Sequence, residues 1–174
     1  LGQDALEDSD LWLSSARFPA TGMMDVSTGV NPSTDDFTVS FAANWNNYVS
    51  RVIWAIADDS NEYFRLQIIS DRARVLTKNG ADTDNATVGT VADAFNTNDD
   101  FRVTLSWDAT ARRVKVYVNG VLDVNDVLDA ASIPTTAGLT ERMNSNLTGG
   151  SSDGLFQGFY KWNRVLTDAE VARL

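Results

Sequence analysis

Apolar and polar positions alternate with a period of two in several short stretches of this chain, and turn residues separate them. Successive side chains of a strand point to opposite faces, so this alternation predicts half-buried strands. The clearest run is 101–107, where Phe101, Val103, Leu105 and Trp107 share one face. Asp108 to Arg112 turns the chain, and 113–118 alternates again with Val114, Val116 and Val118 inward. Asn119-Gly120 follows, and both residues tolerate positive φ, which predicts a type I′ hairpin with 121–124 as the returning strand. Residues 37–45 set Phe37, Val39 and Phe41 against Thr38 and Ser40. Residues 50–57 are apolar almost throughout, as in a strand covered on both faces. Residues 63–69 and 73–78 predict two more strands around a turn at 70–72, and 155–163 predicts the last one.

The stretches between carry less pattern. Residues 79–100 are polar, hold at most one weak strand near 87–91, and close on a turn cluster at 96–100. Residues 126–154 contain Pro134, Gly138 and a Gly/Ser run, and read as loop with at most one short strand. Thr167 and Glu170 have the spacing of a capping box, so one short helix ends the chain, with Val165, Leu166, Val171 and Leu174 packing it down. Residues 1–20 read as an extended N-terminal arm whose Leu6, Leu11, Trp12 and Leu13 suit contact with a neighbour. Short strands at this spacing predict an all-β fold: one domain over 1–174, two antiparallel sheets packed as a sandwich, and one short C-terminal helix.

Three segments add a resemblance. FRVTLSWDATARRVKVYVNGVLDV at 101–124, LFQGFYKWNRVLTDAEVARL at 155–174 and DFTVSFAANW at 36–45 resemble the laminin-G-like jelly roll of the concanavalin A-like lectin/glucanase superfamily. The first carries a strand ending in Trp-Asp, a turn and a strand ending in Tyr-Val-Asn-Gly. The second carries a Gly-containing strand, Asn-Arg-x-Leu and a Thr-x-x-Glu helix start. The resemblance covers about half the chain and implies a jelly-roll sandwich. These motifs are core and turn residues, so it implies no particular function.

Composition narrows the function. The chain has 174 residues and a formal net charge of −10, which repels phosphate backbones and anionic membranes. Twenty of its 24 acids are Asp, a residue of turns. No apolar run is long enough to cross a bilayer. There is no cysteine and no histidine. Disulfides, thiolate nucleophiles and Ser-His-Asp sites are therefore excluded within the chain, and the composition leans toward a bacterial or viral source. The chain opens on Leu1, as a processed or excised segment would.

Three sets of residues are candidates for a site. Trp45, Asn47 and Tyr48, with Asn46, combine aromatic faces and amides, the mixture that stacks on and hydrogen-bonds a sugar. Arg51, Tyr63, Arg65 and Gln67, with Arg72, place a basic, aromatic and amide set on the middle strands, suited to an anionic glycan or to ion pairs with Asp58, Asp59 and Asp71. Laminin-G-like relatives often hold Ca2+ at the sandwich rim, and calcium takes six to eight oxygen ligands. The loop carboxylates and amides Asp82, Asp84, Asn98 and Asp99, with Asn85, Asn96 and Asp100, or Asn31, Asp35 and Asp36, offer such oxygens; turn chemistry explains the same residues.

Catalysis is not expected. Retaining glucanases of this fold carry a Glu-x-Asp-x-x-Glu strand, and the four Glu here stand apart. Lyases of this fold use a His or Tyr base beside Arg or Gln, and Tyr63, Arg65 and Gln67 supply only part of that set. The expectation is a non-catalytic carbohydrate-binding or attachment module, a lectin in character, on a cell or virion surface. A structural virion protein, such as a phage decoration, fibre or tail domain, is the alternative, and a polysaccharide lyase or glycosidase the second. Its partners would be a glycan or neighbouring subunits, with no nucleic acid and no membrane insertion.

Overall fold

A computed structural model describes residues 11–18, 24–44, 51–57, 61–69, 72–80, 85–89, 100–136, 138–143 and 154–174. Twelve strands run through these residues. They are β1 (Leu11–Phe18), β2 (Met24–Val30), β3 (Phe37–Asn44), β4 (Arg51–Ala57), β5 (Tyr63–Ile69) and β6 (Arg72–Lys78). Then follow β7 (Asn85–Gly89), β8 (Asp100–Asp108), β9 (Arg113–Val118), β10 (Val121–Val127), β11 (Leu139–Met143) and β12 (Gly154–Trp162). A 3-10 turn at Ala130–Ser132 and a helix α1 (Asp168–Val171) complete the set.

The strands form two six-stranded antiparallel sheets. The first has the order β1-β12-β3-β8-β9-β10, and the second β2-β11-β4-β5-β6-β7. This is the two-sheet sandwich expected from the alternation, in the jelly-roll form that the resemblance implies. The strands read most clearly from sequence, β3, β8, β9 and β12, sit at the centre of the first sheet, where one face must meet the core. The 119–120 turn has φ of 50° at Asn119 and 79° at Gly120, the left-handed pair that a type I′ hairpin needs.

The core lies between the sheets. Phe37, Phe41, Trp54, Phe64, Trp107 and Phe159 are all buried there. Phe64 meets Trp107 at 5.0 Å and Phe37 meets Trp54 at 5.4 Å between ring centroids, both tilted rather than stacked. Each such side chain contributes about 1.5–3 kcal/mol by leaving water. Trp107 is fully buried, and its indole N–H donates to the Pro32 carbonyl at 2.8 Å.

Three strands escape the alternation rule. Of the stretch read as an arm, residues 11–18 form β1, paired with β12 from Leu11 opposite Lys161 to Phe18 opposite Gly154; residues 1–10 lie outside the described residues. β2 is rich in Ser, Thr and Gly. β11 is the one short strand that the reading of 126–154 allows, and its place is hidden because its core face carries Glu141 between Leu139 and Met143. Glu141 is fully buried. It accepts from the Trp54 indole at 2.7 Å and pairs with Lys161 Nζ of the opposite sheet at 2.5 Å.

The C-terminal segment closes the outer face of the first sheet. Leu166 and Val171 pack on Tyr117 and Trp162. The Thr38 hydroxyl donates to the Arg164 carbonyl at 2.9 Å and accepts from Leu166 N at 3.0 Å. The capping box holds, with Thr167 and Glu170 each satisfying the other's backbone amide.

Candidate ligand-binding face

The second sheet turns its other face away from the core. A register shift between Val52 and Trp54 lets β4 keep Trp54 and Ile56 in the core while Val52, Ala55 and Ala57 face outward. Pairing then fixes three rows across this face. Arg142, Ala55, Arg65 and Leu76 form one; Thr140, Ala57, Tyr63 and Lys78 form the next; Val52, Gln67 and Arg74 form the third. Tyr63, Arg65 and Gln67 therefore alternate on one strand face, as the sequence predicts.

Arg65 and Arg142 stand on either side of Ala55, two strands apart, which sets their Cα atoms about 9–10 Å from each other. Arg74 lies on the next strand, opposite Gln67 and diagonal to Arg65. Ala55, between the two arginines, is fully buried, and guanidinium forks match planar oxyanions in two-point contacts. Arg65 is only 6 % exposed although it faces away from the core. Its Cζ lies 4.2 Å from the centroid of the Tyr63 ring, a cation–π contact. Burial pushes its pKa down, and Tyr63 offsets part of that shift. Arg65 Nε is a buried donor that meets no acceptor, while the side chain has other partners. Tyr63 is also 6 % exposed, with a guanidinium on its ring, so it is not presented in an open cleft as a lyase base would be.

The other sequence candidates divide as follows. Trp45, Asn47, Tyr48, Asp82, Asp84, Asn98 and Asp99 lie outside the described residues, as do Asn46, Asp58, Asp59 and Asp71. Arg51 opens β4 with its backbone opposite Ile68. Asn31, Asp35 and Asp36 serve the backbone: Asp35 accepts from Asn31 N, Asn31 Oδ1 from Ser33 N, and Asp36 from Ala109 N. Among the described residues, no three acidic side chains gather as a metal site. No helix there is long and apolar enough to cross a membrane. Sequence reasoning missed Arg74 and Arg142, which join the face only through register. Arg74 alternates with Arg72 and Leu76 on β6 and was legible in principle.

Residues 19–172 match the laminin-G profile described as the concanavalin A-like lectin/glucanases superfamily. The chain belongs to that superfamily. No curated protein sequence matches it. Among solved structures, it is similar to a NanB sialidase mutant from Streptococcus pneumoniae, with a TM-score of 0.77 and 12 % identity over 96 % of this chain and 28 % of the sialidase. It thus spans little more than a quarter of that enzyme. It is also similar to the Ruminococcus gnavus sialidase CBM40 bound to α2,3-sialyllactose, with a TM-score of 0.70 and 15 % identity over 94 % of this chain and 97 % of that one. A heptameric pentraxin from Limulus polyphemus gives 0.66 and 16 % over 91 % and 79 %. At these identities the likeness is one of fold.

Proposed function

We propose that this domain is a non-catalytic carbohydrate-binding module that takes an acidic sugar on the outer face of its second sheet. The observation that carries the reading is the gathering of Arg65, Arg142 and Arg74 on one sheet face of a chain whose net charge is −10. A sugar carboxylate would accept from the half-buried Arg142 and Arg74 guanidiniums beside the buried Arg65, and Thr140 would serve a neighbouring hydroxyl. Charge-assisted hydrogen bonds in a recessed site contribute about 1.5–3 kcal/mol each. The CBM40 similarity is of the same kind, since that module is seen with a sialylated sugar.

Calorimetric titration with an acidic oligosaccharide and with its carboxyl methyl ester tests the proposal. The acid should bind and the ester should bind at least tenfold more weakly. Arg142→Ala should lower affinity for the acid by about 10- to 100-fold, as loss of one such bond implies, while leaving the circular dichroism spectrum unchanged. Equal affinities for acid and ester would overturn the reading. Repeating the titration with chelator tests the calcium expectation separately.

A further inference from the structure

We propose that the outer face of the first sheet carries a second site, around Arg102, Tyr160 and Asp100, that takes an uncharged sugar. Arg65, Arg142 and Arg74 lie on the other sheet, so the two sites stand or fall separately.

The C-terminal segment covers only part of this face. Thr38 of β3 is buried against residues 164–166. Two rows further along the same strand face, Ala42 is partly exposed, with Gly158 of β12 on one side and Arg102 of β8 on the other. The next row pairs Asn44 with the exposed Asp100.

Two local features of β12 shape the patch. Phe156 lies opposite Ala43 and Gly158 opposite Ala42, so Gln157 is an extra residue in the strand. Its amide donates to Asp100 Oδ1 at 2.9 Å, and Asn44 Nδ2 donates to the same oxygen at 2.8 Å. The Asn44 and Gln157 hydrogen bonds hold the Asp100 carboxyl below its ordinary value, so it is ionised, and Oδ2 remains to accept. Glycine at 158 lets Tyr160 lean back along the strand. A Cβ there would stand 3.3 Å from Tyr160 Cε2 and 3.6 Å from its hydroxyl.

The half-buried Arg102 guanidinium lies 5.7 Å from the centroid of the Tyr160 ring and donates to Ser40 Oγ at 3.3 Å. The chain has 24 acids, yet among the described residues no carboxylate pairs with Arg102. Asp100 stands two residues away on the same strand face and is tied to Asn44 and Gln157 instead. Most of the guanidinium donors are therefore left for a ligand.

Charge selects the ligand class. One guanidinium and one carboxylate cancel, so the patch favours neither anions nor cations, unlike the three arginines of the other sheet. It suits a molecule whose groups both donate and accept, as hydroxyls do. Asp100 and Arg102 have Cα atoms about 7 Å apart along the strand, a span that one sugar ring bridges. One hydroxyl would donate to Asp100 Oδ2, a second would accept from Arg102, and the sugar's C–H face would lie against Tyr160. Sites on opposite sheets would make the module bivalent, able to bridge two glycans.

An array of uncharged glycans tests the proposal. The wild-type domain should be retained by at least one of them. Asp100→Ala and Arg102→Ala should each lower affinity for that glycan about tenfold or more, as loss of a hydrogen bond to a charged group implies. Asp100 is exposed, so its variant should melt with the wild type and separate lost binding from lost folding. Thr110→Ala, exposed on the β8–β9 turn, should bind as the wild type does. A domain that no uncharged glycan retains overturns the proposal. So does a retained glycan whose affinity neither Asp100→Ala nor Arg102→Ala changes. Loss of that glycan with Arg142→Ala alone would place the uncharged sugar on the second sheet and overturns it equally. Failure of an acidic oligosaccharide to bind counts only against the site on the second sheet.

Discussion

Two lysine–carboxylate pairs in this domain have almost the same chemistry in opposite surroundings. In the core, Lys161 of β12 reaches Glu141 of β11 at 2.5 Å, and the Trp54 indole donates to the other carboxylate oxygen. On the outer face of the first sheet, Lys115 of β9 reaches Asp168 of α1 at 2.6 Å, and the Tyr117 hydroxyl donates to the same oxygen at 2.7 Å. Each pair thus has one ammonium, one carboxylate and one aromatic donor. The side chains of the first are 7 % and 0 % exposed, and those of the second 24 % and 58 %. Water competes for every contact in the second pair and for none in the first. Contact distance therefore does not rank them; the cost of leaving one partner alone does.

The largest predicted effect follows directly. Glu141→Gln leaves the Lys161 ammonium between two sheets without its counter-charge, and removing one partner of a buried pair costs about 3–5 kcal/mol. Urea unfolding should show that loss. Glu141→Gln combined with Lys161→Met removes both charges and keeps an acceptor for the Trp54 indole, so most of the stability should return. If the double variant is no more stable than the single one, the pair itself holds the sheets together beyond its packing. The buried pair would then contribute net stability, against the usual balance of desolvation and attraction.

This same pair marks where the sequence stops being legible. β8 and β9 can be read directly because apolar side chains occupy every inward position. In β11 the inward positions are Leu139, Glu141 and Met143, and the central charge breaks the pattern, so the one short strand allowed in 126–154 has no legible position. The signal available was complementary: Lys161 sits at the inward parity of β12, beside Phe159, as Glu141 does in β11. Two opposite charges, each at an apolar position of a separate strand, predict each other. The candidate face was half legible for a related reason. Tyr63, Arg65 and Gln67 share a face by alternation within one strand. Arg142 joins them only through strand pairings that span much of the chain, which periodicity does not encode.

A smaller effect separates the surface network by pH. Arg164 and the Thr167 backbone amide, in that order, hold the Glu170 carboxyl down to about 2, from an ordinary 4.5. Its folded pKa lies below the unfolded one, so its stabilisation is complete above about pH 5 and is lost as the pH falls toward 2. Glu170 is partly exposed, and solvent screening reduces its contribution to about 1 kcal/mol or less. Wild type and Glu170→Gln should therefore differ by that amount at neutral pH and converge near pH 2. A gap that stays constant with pH would assign the loss to the capping geometry rather than to the charge. Asp168 shifts in the same direction, with the Lys115 and Tyr117 hydrogen bonds as its main causes, and adds to the acid sensitivity of the C-terminal segment.

The smallest predicted effect is the sharpest test of the comparison. Lys115→Ala removes the ammonium of the exposed pair while the Tyr117 hydroxyl still donates to Asp168. Water can solvate the freed carboxylate, so the loss should be about 0.2–1 kcal/mol and should shrink in high salt. For a domain of this size that is a fall of about 0.4–4 °C in Tm. Lys161→Met, which strands Glu141 in the core, should cost several times more and be insensitive to salt, because ions do not reach it. Thermal melts of both variants at low and high salt decide the matter. If Lys115→Ala costs as much as Lys161→Met, burial does not set the strength of these pairs. The docking of α1 would then depend on Asp168 as heavily as the two sheets depend on Glu141.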